Sequence, residues 1–120
     1  MSLNNHKDLV VWQKSMQLVF LLYKAMRFLP KQEQFTLVSQ ILRSAVSIPS
    51  NIAEGFGRNY RLEFNRFLSI SYASSCELET QLIIVSSVYP EVKLEEIFSL
   101  LTEIQRMLKS LMQKIKIPSS

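Results

Sequence analysis

The sequence contains few of the residues that build metal sites, disulfides and tight turns. Its 120 residues include one cysteine and one histidine, so the chain cannot form an intrachain disulfide or a tetrahedral zinc site with only nitrogen and sulfur ligands. Two glycines and four prolines are too few for the frequent turns of an all-β domain. These absences favour a helical domain in a reducing compartment.

Long uncharged segments are absent as well. The longest one, residues 80–90, is much shorter than the roughly 20 apolar residues that cross a bilayer. The N-terminal residues lack the basic region, apolar run and small-residue cleavage site of a signal peptide. We therefore expect a cytoplasmic protein with no membrane partner.

What the sequence does contain is a globular composition with unevenly distributed charge. With 48% hydrophobic and 20% charged residues, we expect one domain with one core over residues 1–120. The net charge is +4, but residues 1–75 hold nine basic and four acidic side chains, residues 76–104 hold one and six, and residues 105–120 hold four basic ones. Such segments could attract phosphates, align subunits, or only keep the protein soluble.

Hydrophobic periodicity predicts four helices and an all-α fold. The clearest pattern lies in the fourth helix, where apolar residues repeat at alternating spacings of three and four. Short connections between helices of similar length indicate an antiparallel up-down-up-down four-helix bundle. The predicted helices cover about residues 9–29, 33–56, 60–89 and 93–116.

The first predicted helix is apolar on two sides, which suggests two packing partners. One partner would be the core of the domain, and the second would be another subunit, so the pattern predicts a homo-oligomer. The first row is Leu9, Trp12, Met16, Val19, Tyr23 and Met26, and the second row is Val11, Leu18, Leu22, Ala25 and Leu29.

The second predicted helix contains Pro49, which would normally break it. However, the apolar residues keep the same helical spacing on both sides of the proline. We therefore expect one kinked helix and not two separate helices. We expect its end at residues 55–57, where a glycine would adopt the left-handed capping conformation. The apolar residues in phase are Phe35, Val38, Leu42, Ala45, Pro49, Ile52 and Phe56.

The third predicted helix has a run of short side chains, residues 69–76. Short side chains let a neighbouring helix approach closely, so we expect a tight helix crossing at this level.

Catalytic chemistry finds little support in the sequence. His6 precedes the first helix and is interpreted as a solvated residue, and Cys76 lacks a histidine partner and is interpreted as a small buried hydrophobe. Glu54 lies four residues before Arg58, a spacing typical of a helical ion pair. We expect a protein that is not an enzyme and has no cofactor, no metal site and no small-molecule substrate.

Two basic clusters remain as candidates for binding nucleic acid. Cations interleaved with an aromatic ring can hold phosphates and stack on a base. The alternative is that the cations only favour solubility and interact with helix dipoles. One cluster comprises Arg58, Tyr60, Arg61 and Arg66, and the other, on the fourth helix, comprises Arg106, Lys109 and Lys116.

The middle of the chain resembles a known family. Residues 44–58, which read SAVSIPSNIAEGFGR, together with EFNRFL at 63–68, ELETQL at 77–82 and DLVVWQK at 8–14, resemble the proteins encoded in intervening sequences of bacterial 23S ribosomal RNA genes. The resemblance implies a four-helix bundle with a kinked second helix and a homopentameric ring. Related accessory proteins of diversity-generating retroelements are basic pentamers that work with nucleic acid and a reverse transcriptase. Where the family commonly has two consecutive arginines, this chain has Leu42 and Arg43.

These observations lead to two functional hypotheses. The first is a non-enzymatic homo-oligomeric bundle, a homopentamer by resemblance, that binds RNA or a ribonucleoprotein partner through its basic surface. The second is a protein-interaction scaffold without affinity for nucleic acid.

Overall fold

The structure, a computed structural model that describes residues 5–115, consists of helices joined by short connections and contains no strand in that range. The predicted all-α fold is therefore confirmed. Three short 3₁₀ segments, His6–Asp8, Met26–Phe28 and Lys31–Glu33, accompany the longer elements. The four α-helices are α1 (Val10–Ala25), α2 (Leu37–Gly57), α3 (Arg61–Val88) and α4 (Glu95–Lys114).

Each helix packs against two neighbours, in the pairs α1–α2, α2–α3, α3–α4 and α4–α1. This pattern places the α2–α3 pair and the α4–α1 pair on opposite sides of an antiparallel four-helix bundle, as predicted. The bundle measures 51 × 27 × 23 Å. Its fully buried large side chains come from all four helices and include Leu18, Ile48, Leu78 and Leu101. No helix within residues 5–115 combines the length and hydropathy that a membrane span requires.

The second helix begins later than the apolar pattern suggests. Lys31–Glu33 forms a 3₁₀ turn after Pro30, and α2 starts only at Leu37. Phe35 therefore precedes the helix, and with 92% of its surface exposed it does not belong to the core face on which we expected it.

The helix α2 runs without interruption through Pro49, as its apolar phase predicts. Ile48 and Pro49 are both buried, and the Ser71 hydroxyl of α3 donates a hydrogen bond to the carbonyl oxygen of Ile48 (2.5 Å). A side chain of the neighbouring helix thus provides an additional polar contact beside the proline. The bend at Pro49 stays a prediction.

The α2–α3 interface is close and contains a line of hydrogen bonds, which we call the α2–α3 seam. Ser44 Oγ donates to Glu77 Oε1 (2.6 Å), and the hydroxyls of Ser47 and Ser74 share a hydrogen bond of 2.7 Å. Asn51 Nδ2 also donates to Ser47 Oγ (2.9 Å). The expected tight crossing at the short side chains of α3 is confirmed.

The buried Gly55 extends this close contact toward the end of α2. A Cβ atom at this position would lie 2.5 Å from Phe67 Cβ and 3.3 Å from the carbonyl oxygen of Phe64. The absence of a side chain therefore lets α3 approach the last turns of α2.

The expected glycine cap at the end of α2 is wrong. Neither glycine has a positive φ, and the left-handed residue is Asn59, with φ of 66°. Asparagine tolerates this conformation because its short polar side chain carries a smaller steric penalty than most residues. The chain therefore reverses two residues after Gly57, between α2 and α3.

The two apolar rows of α1 also pack differently from the expectation. Leu18, Leu22 and Leu29, from the row that we assigned to another subunit, are buried in the core of this chain. Tyr23, from the row that we assigned to the core, is about half exposed. The apolar residues of both rows of α1 are therefore buried largely within one subunit. The apolar residues of α1 that face outward include Phe20 and Tyr23.

Candidate nucleic-acid interface

The first basic cluster lies where α2 ends and α3 begins. Arg58 is the C-cap residue of α2, Tyr60 is the N-cap residue of α3, and Arg61 is the first residue of α3. The left-handed Asn59 between them turns the chain sharply enough to place these residues on one corner of the bundle. Arg66 follows on the second turn of α3.

Two arginines of this corner stack on one aromatic ring. The guanidinium carbon of Arg58 lies 5.2 Å from the centroid of the Phe67 ring, and that of Arg66 lies 4.6 Å from it. Both distances are within the range of cation–π attraction. Sequence reasoning missed Phe67, because only the packing of α3 on Gly55 brings its ring beside the end of α2.

The same two arginines also form ion pairs. Arg58 Nη2 lies 3.2 Å from Glu54 Oε2, which confirms the helical pair that its spacing predicts. Arg66 Nε donates to Glu63 Oε2 (3.0 Å) and Arg66 Nη2 donates to Glu63 Oε1 (3.4 Å), an arrangement that engages both carboxylate oxygens. Each of the two guanidinium groups thus has an acidic partner that compensates part of its charge.

Tyr60 and Arg61 differ from their neighbours in being open to solvent. Tyr60 is 64% exposed, and Arg61 is exposed and has no ion pair with any residue of the range 5–115. An exposed ring beside an unpaired cation has the chemistry to stack on a base and to contact a phosphate. Arg61 is therefore the most available cation of the corner.

The hydrogen bonds from Arg66 lower the pKa of Glu63 below its ordinary value. The ionised carboxylate therefore favours the folded state above that ordinary value, and the contribution is lost as the pH falls through the lowered pKa. We expect Arg66→Gln to raise the pKa of Glu63, as measured by NMR titration of the side-chain carboxyl group. Arg61→Gln is the matched control, and an equal shift in that variant would contradict the pairing of Glu63 with Arg66.

The second basic cluster lies on α4, where Lys109 packs beside the third and fourth turns of α3. Lys109 Nζ lies 5.1 Å from the centroid of the Tyr72 ring of α3. Ser69 Oγ and Met112 Sδ lie 3.5 Å apart, so the end of α4 runs beside the third turn of α3. Tyr72 lies six residues after Arg66 on α3, so Lys109 is roughly 9 Å along the helix axis from the level of Arg66.

The remaining members of the second cluster are less closely associated with the corner. Arg106 is exposed and lines a shallow depression with Ser99, Thr102 and Glu103, one turn further from the corner than Lys109. Lys116 lies outside the described residues. The structure therefore brings Arg58, Tyr60, Arg61 and Arg66 together, places Lys109 on the neighbouring helix, and leaves Arg106 farther along α4.

The residues considered for catalysis occupy structural positions. His6 is partly buried, and its ring packs edge-to-face on Trp12 with centroids 5.1 Å apart, so it is not the solvated residue that we expected. Cys76 is a free, partly buried thiol. Within residues 5–115, no three histidine, cysteine or acidic side chains come together in a way that could hold a metal ion.

Comparisons with known proteins agree with the architecture. The model of the family described as 23S rRNA-intervening sequence protein matches residues 7–110. A crystal structure of a protein of unknown function from the S23 ribosomal protein family of Bacteroides thetaiotaomicron matches with a TM-score of 0.75 and 29% sequence identity, over 87% of this chain and 96% of that one. The comparison with curated proteins gave no match. The relation to retroelement accessory proteins stays a prediction.

Proposed function

Because the chain belongs to the 23S rRNA-intervening sequence protein family, we propose that it is a non-enzymatic homo-oligomer that binds RNA, free or within a ribonucleoprotein, through phosphate contacts. The observation that carries this proposal is the corner between α2 and α3. There the exposed Tyr60 and Arg61, which has no ion pair among the described residues, lie beside two arginines that stack on Phe67. A cytoplasmic location is part of the proposal, since RNA is the target.

The pairing of the cations determines which of them would bind most readily. Arg58 and Arg66 keep about half of their side-chain surface exposed, 48% and 56%, so each can share its guanidinium between a glutamate and a phosphate. Such sharing weakens the attraction, because the carboxylate competes with the phosphate. Arg61 has no such competitor among the described residues, so it would make the strongest contact of the corner.

Self-association would strengthen these contacts. A single chain with a net charge of +4 attracts a polyanion only weakly. The pentamer that the resemblance implies would carry five such charges and five copies of the corner, so weak contacts on one RNA would act together. Contacts with phosphates carry no sequence information, and we therefore propose binding that is sequence-tolerant.

The test is binding of labelled RNA to the full chain between about 50 and 200 mM salt, the range in which phosphate contacts are lost. We expect binding that weakens steeply with salt, and we expect Arg61→Glu to weaken it for unrelated sequences and to reduce the salt slope by about one per bound site. Arg27→Glu is the matched control, because it changes the net charge equally on the 3₁₀ segment that follows α1, at the opposite end of the bundle.

Two outcomes would contradict RNA binding by this corner. One is the absence of binding at the lowest salt, and the other is an equal effect of the Arg61 and Arg27 substitutions. The first outcome would favour the protein-interaction scaffold instead. That second candidate is supported by the exposed apolar residues of α3, namely Ile70, Ile83, Ile84 and Val88.

A further inference from the structure

The ring of Tyr60 differs from the buried ring of the same corner. Phe67 is buried and contacts the guanidinium groups of Arg58 and Arg66. Tyr60 is 64% exposed, and among residues 5–115 its side chain has no ring partner, no cation partner and no hydrogen bond. This ring is therefore open to a partner outside the chain.

Local structure does not account for a tyrosine at this position. Tyr60 is the N-cap residue of α3, where serine, threonine, aspartate and asparagine are preferred because their side chains accept a backbone hydrogen bond. The Tyr60 side chain makes no such bond, and its ring does not pack on the core. Single exposed apolar side chains are common, so what a free ring can do depends on the groups beside it.

The group beside Tyr60 is a free cation. Arg61, the first residue of α3, is exposed and has no ion pair with any residue that the structure describes. Consecutive Cα atoms are only about 3.8 Å apart, so the ring and the guanidinium group are within reach of the same nucleotide. A nucleotide carries a flat apolar base and a phosphate, which are the two groups that such a pair can bind.

A second exposed tyrosine of the chain provides a comparison. Tyr23 is 52% exposed and is followed by the exposed Lys24. Lys24 lines an apolar pocket together with one other lysine and two glutamates, so the charges there cancel. The corner between α2 and α3 has three arginines against Glu54 and Glu63, which leaves one positive charge. Attraction of a phosphate therefore favours the corner.

We propose that this corner binds single-stranded RNA, with a base stacked on the ring of Tyr60 and the adjoining phosphate bound by Arg61. The inference rests on the proposed function and names the form of RNA that the same site takes. In a duplex the bases stack on one another and are closed to an external ring, whereas unpaired bases can stack on aromatic side chains. A duplex would therefore offer this corner its phosphates alone.

The first test compares Tyr60→Ser with Tyr60→Phe in binding of an unstructured single strand of RNA to the full chain. We expect Tyr60→Ser to weaken binding about 5- to 150-fold, the range for loss of base–aromatic stacking, and Tyr60→Phe to keep most of the affinity because it keeps the ring. Tyr23→Ser is the matched control and should have no effect. Serine is favoured at an N-cap, and circular dichroism should show that Tyr60→Ser remains helical.

Salt dependence separates the ring from the cation. The slope of affinity against salt reports the number of bound phosphates, so Tyr60→Ser should weaken binding at every salt concentration without changing the slope. Arg61→Glu, in contrast, should lower the slope. A purely structural loss of the corner in Tyr60→Ser would lower the affinity and the slope together, and would contradict the stacking.

The second test keeps the phosphates and removes the accessible bases. The probes are the same strand annealed to its complement and a strand of equal length built from abasic nucleotides. We expect the abasic strand to bind the unmodified chain more weakly than the intact strand does. We expect Tyr60→Ser to have no further effect on the abasic strand or the duplex, because neither offers a base to the ring.

The outcomes separate this inference from the proposed function. If Arg61→Glu weakens RNA binding while Tyr60→Ser has no effect, or weakens binding of the duplex as much as that of the single strand, the stacking is wrong and the proposed function stands. Equal losses in Tyr60→Phe and Tyr60→Ser would also overturn the stacking, since the ring would not be the group that binds. Absence of RNA binding at the lowest salt would overturn both proposals.

Discussion

Leu18→Ala is expected to lower the free energy of unfolding by about 2–5 kcal/mol, because it removes most of a buried side chain from a packed core. Leu18 is fully buried within one subunit, although its position in the second apolar row of α1 suggested a contact between subunits. Denaturant unfolding at two protein concentrations measures the effect. The loss should be the same at both concentrations, since a defect inside the subunit does not depend on association.

Phe20→Ala is the control for this prediction. Phe20 lies two residues further along α1 and is more than half exposed, so its truncation should change the free energy of unfolding by about 0.5 kcal/mol or less. If Phe20→Ala were as destabilising as Leu18→Ala, the side of α1 that carries Phe20 would face the core, contrary to the structure.

The two glycines of the chain should respond to alanine in opposite directions. Gly55→Ala places a Cβ atom 2.5 Å from Phe67 Cβ, and neither atom is at the flexible end of a side chain. Relieving that contact requires α3 to move away from α2, and overpacking of this kind lowers the free energy of unfolding by about 1–3 kcal/mol. The helical preference of alanine over glycine, up to about 1 kcal/mol, offsets part of the loss.

Gly57→Ala provides the matched comparison in the same helix. A Cβ atom at Gly57 would have no neighbour within 4 Å, and its φ is not positive. We expect a change between zero and a gain of about 1 kcal/mol, because alanine reduces the freedom of the unfolded chain. Thermal or denaturant unfolding of both variants measures the change in the free energy of unfolding. A stabilising Gly55→Ala substitution would show that α2 and α3 are farther apart at this level than they are in the structure.

Much of the fold could be predicted from the sequence because each long helix carries its own periodic pattern. In α4 the repeating positions Ile97, Leu101, Ile104 and Leu108 are all buried, as their spacing predicts. The continuity of α2 through Pro49 also followed from the phase of its apolar residues. Periodicity works here because residues three and four apart lie on the same side of any helix, whatever its neighbours are.

Periodicity does not show which neighbour a helical face meets. The wrong predictions for α1 and for the end of α2 arise because the neighbours are fixed only in the folded bundle. Both rows of α1 are apolar, but only the assembled bundle shows that Leu22 is buried inside the subunit while Tyr23 faces outward. The left-handed residue at the end of α2 was assigned to glycine on general preference, whereas the position of the turn selects Asn59.

The candidate interface could be predicted only in part. Arg58, Tyr60, Arg61 and Arg66 were recognisable as a cluster because they are close in sequence. The ion pair of Arg58 with Glu54 also followed from their spacing. The stacking of Arg58 and Arg66 on Phe67 was not recognisable, because a contact between α2 and α3 brings this ring beside the end of α2. Sequence spacing thus indicates local ion pairs, and only tertiary packing shows which aromatic ring the cations contact.

The hydrogen-bonded α2–α3 seam has a consequence for how the bundle can move. Side-chain hydrogen bonds from Ser44 and Ser71 and the close approach at Gly55 fix α2 against α3 at several heights. Between α1 and α4, by contrast, an apolar pocket of about 520 Å³, lined in part by Leu21 and Ile97, opens to the surface. Local opening takes place where buried contacts are fewest. We therefore expect the α2–α3 side to be the stiffer side of the bundle, so that any change of shape on assembly would open the α1–α4 side and leave the α2–α3 hairpin intact.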